Sequence, residues 1–368
     1  MIARISTELD LLHSEVEDDL RASVRDVLGD RCDPAAVAAL YDGDDAVVAP
    51  LWRVLAAELG LAGLLVPETV GGAGASAREA AVVLEELGRA AAPVPFLTSA
   101  VVATTVLLDS SSELLGPLAA GERVAALTVP LSTGPASALP ALTIDADGRV
   151  SGSVTSVAGA VEADVLLVPV AGPDGLAVRA VAAGAAHVTP VVSLDMTRRL
   201  ADVTFDGAPS EPVAAGEAAV RRGLAAGAAL LASEQLGVAR WCLEETVSYL
   251  KVRRQFGRVV GGFQAIKHRL ADLAIAVDSG SAAARYAAVA LAEGVDVEIA
   301  TAVAQAFCSD LAVTAAEEAV QLHGGIGMTW EHPAHLYLKR AKADQIALGT
   351  PGAHRAQLAE LVDLPAPA

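Results

Sequence analysis

The 368-residue chain is short of cysteine and of cations. Its three cysteines, Cys32, Cys242 and Cys308, lie far apart. No pair has metal-ligand spacing, and an odd, scattered set is no disulfide framework, so a reducing, cytoplasmic setting is expected. Lys and Arg number 26 against 45 Asp and Glu, a formal net charge of −19. Phosphate backbones are held by clustered cations, so this balance argues against a nucleic-acid partner; it leaves room for a small anionic ligand held by local donors. The chain does not open on a basic region followed by an apolar one, and no signal peptide is expected. One uncharged run, AAAPVPFLTSAVVATTVLL (residues 90–108), is nearly long enough to cross a bilayer. Its two early prolines and its small and hydroxylic residues favour a buried core helix, so no membrane insertion is expected.

What is present falls into three textures. Up to about residue 118 the chain reads as helix. Ser14-Glu15-Val16-Glu17 has capping-box spacing, and Val16, Leu20, Val24 and Val27 then recur every three to four residues. Leu51 to Leu65 reads as a second helix, and Ala77 to Ala91 as a third with Glu85, Glu86 and Arg89 on a solvated polar face. Residues 119–216 change to short runs of Val, Leu, Thr and Ala separated by turn signals. ALTIDADGRVSGSV places Asp147-Gly148 between alternating segments, the mark of a hairpin. From 217 to 368 the helical period returns in long segments suited to a four-helix-bundle-like domain. The expectation is an α+β protein: an N-terminal helical domain (1–118), a small antiparallel β domain (119–216) and a C-terminal helical domain (217–368).

Two stretches could carry chemistry. In RRQFGRVVGGFQAIKHRLADL (residues 253–273), a long helix ends among Lys251, Arg253 and Arg254, Gly257 breaks it, and Phe263 starts the next. An arginine at such a turn, with a glutamine further on, can hold a pyrophosphate by charge-assisted bonds. A basic helix end and a plain helical hairpin would read the same way. In QLHGGIG (residues 321–327), glycines after a helix let backbone N–H groups approach an anion, and Gln321 adds an amide; the bland alternative is a helix C-cap. His323, Trp330, His332 and His335 read as packing residues. No further ligands stand near His332 and His335 in sequence, so no metal is expected.

Together, at this separation and in this order, these stretches resemble the acyl-CoA dehydrogenases, FAD-dependent flavoproteins that desaturate acyl-CoA thioesters. LGLAGLLVPETVGGAGASAREAAVVLEELGRA (residues 59–90) looks like the family's N-terminal domain, and QLHGGIGMTWEHPAHLYLKRAKADQIALGT (residues 321–350) like its C-terminal signature. The resemblance implies that FAD lies between subunits. It would be met by Arg253, Phe256 and Gln264 of the R-x-x-F-G stretch, by Gln321, Gly324 and Gly325 of the Q-x-x-G-G stretch, and by the Thr128 hydroxyl. It further implies an acyl-CoA substrate, an electron-transfer flavoprotein as acceptor, and a homo- or hetero-oligomer.

The chain departs from the family where the reaction starts. A carboxylate should remove the proton beside the thioester carbonyl while the next carbon gives hydride to the flavin. That carboxylate usually precedes a Gly-Thr; here Gly349-Thr350 is preceded by Leu348, which has no lone pair. The minority position, on the first long helix of the C-terminal domain, falls at Gly227. Glu234, two turns later, is a weak fallback that better suits an ion pair, and Asp344 is weaker still. The β domain keeps Leu127-Thr128-Val129-Pro130 in place of T-E-P and has no tryptophan to cover a flavin ring. Three functions remain open: a dehydrogenase acting within a homo- or heteromer, a non-catalytic FAD-binding partner of a base-containing paralogue, and a flavoenzyme with a non-thioester substrate.

Overall fold

The computed structural model describes residues 9–110, 112–172 and 175–365. The start of the chain, where no leader was expected, falls on residues 1–8, outside those described. The N-terminal region holds α1 (Glu15–Arg31), α2 (Pro34–Ala38), α3 (Val48–Arg53), α4 (Ala77–Arg89), α5 (Thr104–Leu107) and α6 (Leu115–Ala119). Ser14 and Glu17 form the expected reciprocal cap of α1. The packed face of α1 is rotated from the expected one: Val24 and Leu28 are buried while Val16 is exposed, because Glu17 turns inward to Arg285. The stretch expected as one helix from Leu51 is α3 followed by a π-wound turn, Val54–Glu58, and it ends where Gly60 takes a left-handed φ of 70°. The uncharged run forms a buried, partly π-wound segment, Phe96–Ala103, continuing into α5.

The solvated face expected at Glu85 and Glu86 is buried. The crossing of α4 with α1 and with the long helix from residue 217 brings Arg21 to 2.9 Å and Arg240 to 3.0 Å from Glu85, and Arg25 to 2.7 Å from Glu86. Carboxylates can stay in such a place only when paired.

The middle region is a pair of four-stranded sheets. One has the order β1 (Ala125–Leu127), β4 (Val165–Gly172), β5 (Gly175–Ala182), β8 (Glu211–Gly216). The other has the order β2 (Thr143–Ile144), β3 (Arg149–Ala158), β7 (Leu200–Pro209), β6 (His187–Val191). Pairing is antiparallel except that β1 runs parallel to β4. Asp145 to Gly148 makes the tight connection between β2 and β3. Val150, Val154, Leu166, Val168, Val203 and Phe205 fill the space between the sheets.

The C-terminal region is built on α7 (Glu217–Val252), α8 (Gln264–Glu293) and α9 (Val297–His323), with α10 (Ala334–Asp344) and α11 (Pro351–Leu361) against them. α9 is long and apolar enough to span a bilayer by composition, and 67% of its most apolar window is buried against neighbouring helices. One continuous core joins it to the N-terminal helices.

Candidate functional site

Up-down-up packing puts the C-terminus of α7, the N-terminus of α8 and the C-terminus of α9 at one end of the bundle. Tyr249 of α7 stacks on His323 of α9 with ring centroids 4.5 Å apart, which fixes their common level. This end gathers Arg253, Phe256, Gln264, Gln321, Gly324 and Gly325. α7 stops at Val252, and the chain makes a two-residue hairpin between β9 (Arg254–Gln255) and β10 (Arg258–Val259). Phe256 and Gly257, with φ of 53° and 74°, form its tip. The expected helix break is thus a β-turn, and Phe256 is 89% exposed there. Arg253, Gln264 and Gln321 are exposed as well. Gly324 has φ 64° and ψ −139°, a conformation open essentially to glycine alone, and nothing lies within 4 Å of where a Cβ would stand at Gly324 or Gly325. The arrangement is an exposed shelf of cations, amides and bare backbone, a suitable chemistry for a pyrophosphate.

A second locus sits at the other end of α7. Leu348 has a left-handed φ of 55°. Its N–H donates to the carbonyl of Leu131 at 2.8 Å, and its own carbonyl accepts from His354 Nε2 at 3.0 Å. Its side chain lies against Gly227, where a Cβ would come within 3.0 Å of Leu348 Cδ1. The two positions that could hold the family's carboxylate therefore face one another, leucine filling the notch left by glycine. The cavity there, lined by Leu97, Thr98, Val102, Leu127, Leu131 and Leu348 among others, has a volume of about 30 Å³. Ligand pockets begin at roughly 300 Å³. The loop after β1 lies directly on Leu348, so a flavin ring does not fit in this slot as the chain stands.

Neither nearby carboxylate is free to act as a base. Glu234 Oε1 accepts from Arg198 at 2.5 Å and from Arg340, and Asp344 Oδ1 accepts from Arg198. Arg340 also donates to Asp195 Oδ2 at 2.8 Å and to Thr197 Oγ1 at 2.6 Å. This junction of the β domain with α7 and α10 was not legible in sequence, because nothing local marks an arginine as buried.

Thr128 is wholly buried; its N–H donates to the carbonyl of Leu167, and its hydroxyl has no partner among the described residues. An unsatisfied buried polar group costs roughly 1–3 kcal/mol. Thr128→Val, a near-isosteric change, should therefore raise stability by about 1 kcal/mol, read as a higher Tm, with no loss of bound FAD from an assembled complex. Loss of flavin would show the hydroxyl to be a cofactor contact after all.

His332, expected to stand apart from other ligands, comes close to Glu245 and His323, all three donor atoms lying within 4.8 Å. Nδ1 of His332 accepts from the Ala334 N–H at 3.2 Å, which leaves the proton on Nε2, the atom facing Glu245. Burial, with His323 and His335 alongside, lowers the His332 pKa to about 4 and keeps it neutral. His323 packs between Tyr249 and His332 and bonds Ala319 O through Nδ1 at 2.7 Å.

The shelf and the slot are far apart. Gly227 and Arg253 are 26 residues apart on one helix, roughly 39 Å at 1.5 Å per residue. One dinucleotide cannot touch both within one chain.

Comparison with known proteins agrees with this layout. Residues 14–121 match "Acyl-CoA dehydrogenase, N-terminal domain" and residues 214–362 match "Acyl-CoA dehydrogenase, C-terminal domain". The chain is 39% identical to acyl-CoA dehydrogenase IpdE2 of Mycobacterium tuberculosis over 90% of its own length and 92% of the relative's. The chain belongs to the acyl-CoA dehydrogenase family. Among solved structures of that family, the ChsE4–ChsE5 complex from Mycobacterium tuberculosis superposes with a TM-score of 0.87 at 28% identity, covering 97% of this chain and 100% of the other. A variant of the Tcur3481–Tcur3483 steroid acyl-CoA dehydrogenase superposes with a TM-score of 0.83 at 30% identity, covering 95% and 98%. As an acyl-CoA dehydrogenase the chain is of a FAD-dependent oxidoreductase type, and heteromeric assemblies occur among its structural neighbours.

Proposed function

We propose that this chain is the non-catalytic subunit of a heteromeric acyl-CoA dehydrogenase, lending its pyrophosphate shelf to FAD seated in a base-bearing paralogue. The observation that carries this reading is the sealed pair Leu348–Gly227: neither position has a carboxylate, and the space between them holds no flavin ring. The shelf, roughly 39 Å away along α7 by the same helical rise, is exposed and presents Arg253, Gln264 and Gln321. Arg253 and Gln264 would bind the phosphates and adenosine end, and Gln321 with Gly324 and Gly325 would approach from the neighbouring turn. The partner would supply the ring slot, the thioester pocket and the base. Electrons would leave to an electron-transfer flavoprotein in the cytoplasm. The steroid substrate named for one structural neighbour makes a bulky polycyclic thioester the first to try.

The test is reconstitution. The chain alone, and the chain carrying Leu348→Glu, should show no turnover on a panel of acyl-CoA thioesters, because a carboxylate placed in a sealed slot meets neither flavin nor substrate. Co-expression with a paralogue that has Glu before its Gly-Thr should give turnover that is lost when that glutamate becomes glutamine. Turnover by the unaltered chain alone would defeat the proposal.

A further inference from the structure

The junction at the C-terminal end of α10 carries an unbalanced charge. Asp195 and Arg198 come from the loop before β7, Glu234 from α7, and Arg340 and Asp344 from α10. Three carboxylates face two guanidiniums, a formal charge of −1, and Asp195, Glu234, Arg340 and Asp344 are each at most 2% exposed. α9 adds only the neutral Gln305 and Ser309, joined to the cluster through the amide of Gln235. An uncompensated charge in such a place is strongly disfavoured.

Two oxygens here also lack donors. Among the described residues Asp344 Oδ2 is buried without a hydrogen-bond partner, and so is Oε1 of Gln235, whose Nε2 donates to the Asp344 carbonyl at 3.3 Å. Arg198 is committed to Asp344 Oδ1 and Glu234, and Arg340 to Asp195, Thr197 and Glu234. Among the described residues no cation is left to neutralise Oδ2. A proton would both cancel the excess charge and give this corner a donor.

We propose that Asp344 is protonated in the folded chain, and that this proton closes the β domain onto α7 and α10 beside the sealed slot. Asp344 stands four residues before Leu348, so the segment fixed by this junction is the one whose N–H holds Leu131. Burial pushes the Asp344 carboxyl above its ordinary range; Arg198 and Arg340 oppose that shift, and Glu234 and Asp195 add to it. The native state then holds a proton that the unfolded chain has already released. Stability falls as pH rises from the ordinary carboxylate range to the raised value, and stays lowered above it. The junction is thus tight in acid solution and loosened from about neutral pH upward.

This inference concerns the charge state of one side chain and stands or falls independently of the subunit role proposed above. Infrared difference spectra of the intact chain between pH 6 and pH 9 should show a protonated-carboxyl C=O band that is lost at high pH and is missing from Asp344→Asn. Melting curves should show the variant gaining at least about 2 °C over the unaltered chain at pH 9, with a smaller gain at pH 6. Hydrogen exchange of the Leu131 and Leu348 amides should quicken at pH 9, beyond the intrinsic pH effect, only in the unaltered chain. A spectrum in which no carboxyl band distinguishes the two proteins at pH 6 would overturn the assignment whatever the variant's stability.

Discussion

Arg253→Ala in this chain should strip FAD from the assembled complex without unfolding either subunit. Arg253 is exposed, and it is its backbone that organises the hairpin: the N–H donates to Tyr249 O at 2.9 Å and the carbonyl accepts from the Val260 N–H at 2.8 Å. Truncation leaves both bonds in place. What is lost is a charge-assisted contact to a phosphate, roughly 1.5–3 kcal/mol, or about 10- to 150-fold in cofactor affinity. The measurement is flavin absorbance of the complex after gel filtration, with FAD dissociation constants for both forms. Arg253→Lys should recover part of the affinity, since it restores charge but not the planar fork. An unchanged affinity would mean that the shelf faces no cofactor.

The shelf was largely legible in the sequence, and the slot was legible only in part. Glycine spacing and an arginine after a long helix are local signals that left a plain helix hairpin and C-cap open; only the resemblance to the family joined Arg253, Gln264 and Gln321 into one cofactor-binding expectation. The hairpin at Phe256-Gly257 was hidden because two-residue strands have no periodicity to read. The missing carboxylate at Leu348 was plain once the resemblance placed the family's base just before Gly349-Thr350. That Leu348 would face Gly227 and close the slot depends on how the β domain lies on α7, a long-range matter that no window of sequence reports. The same limit concealed the burial of Glu85 and Glu86. Their partners, Arg21, Arg25 and Arg240, come from helices far away in the chain. An acidic pair on a helix looks solvated until the neighbouring helix is seen.

Arg340→Met should be strongly destabilising. Arg340 is 2% exposed and joins three regions at once: Asp195 and Thr197 in the β domain, Glu234 on α7, and the Ala92 carbonyl after α4. Its loss leaves Asp195, Glu234 and Asp344 facing Arg198 alone. Removing one partner from a buried charge cluster costs roughly 3–5 kcal/mol, because the remaining charges keep their burial and lose their compensation. Methionine keeps most of the volume, so the loss is electrostatic rather than a cavity effect. Equilibrium denaturation should show the midpoint falling sharply, and the β domain should become sensitive to protease first. A change below about 1 kcal/mol would indicate that water reaches the cluster.

The cofactor expectation rests on one claim: in this chain the shelf that would hold a pyrophosphate is open and the ring slot is shut. Counting flavin in the purified complex tests it most directly, FAD being measured by absorbance against the protein content of each subunit. The account predicts one FAD for each pair of chains, and none retained by this chain alone. A full equivalent of FAD on every chain, or on this one by itself, would contradict it.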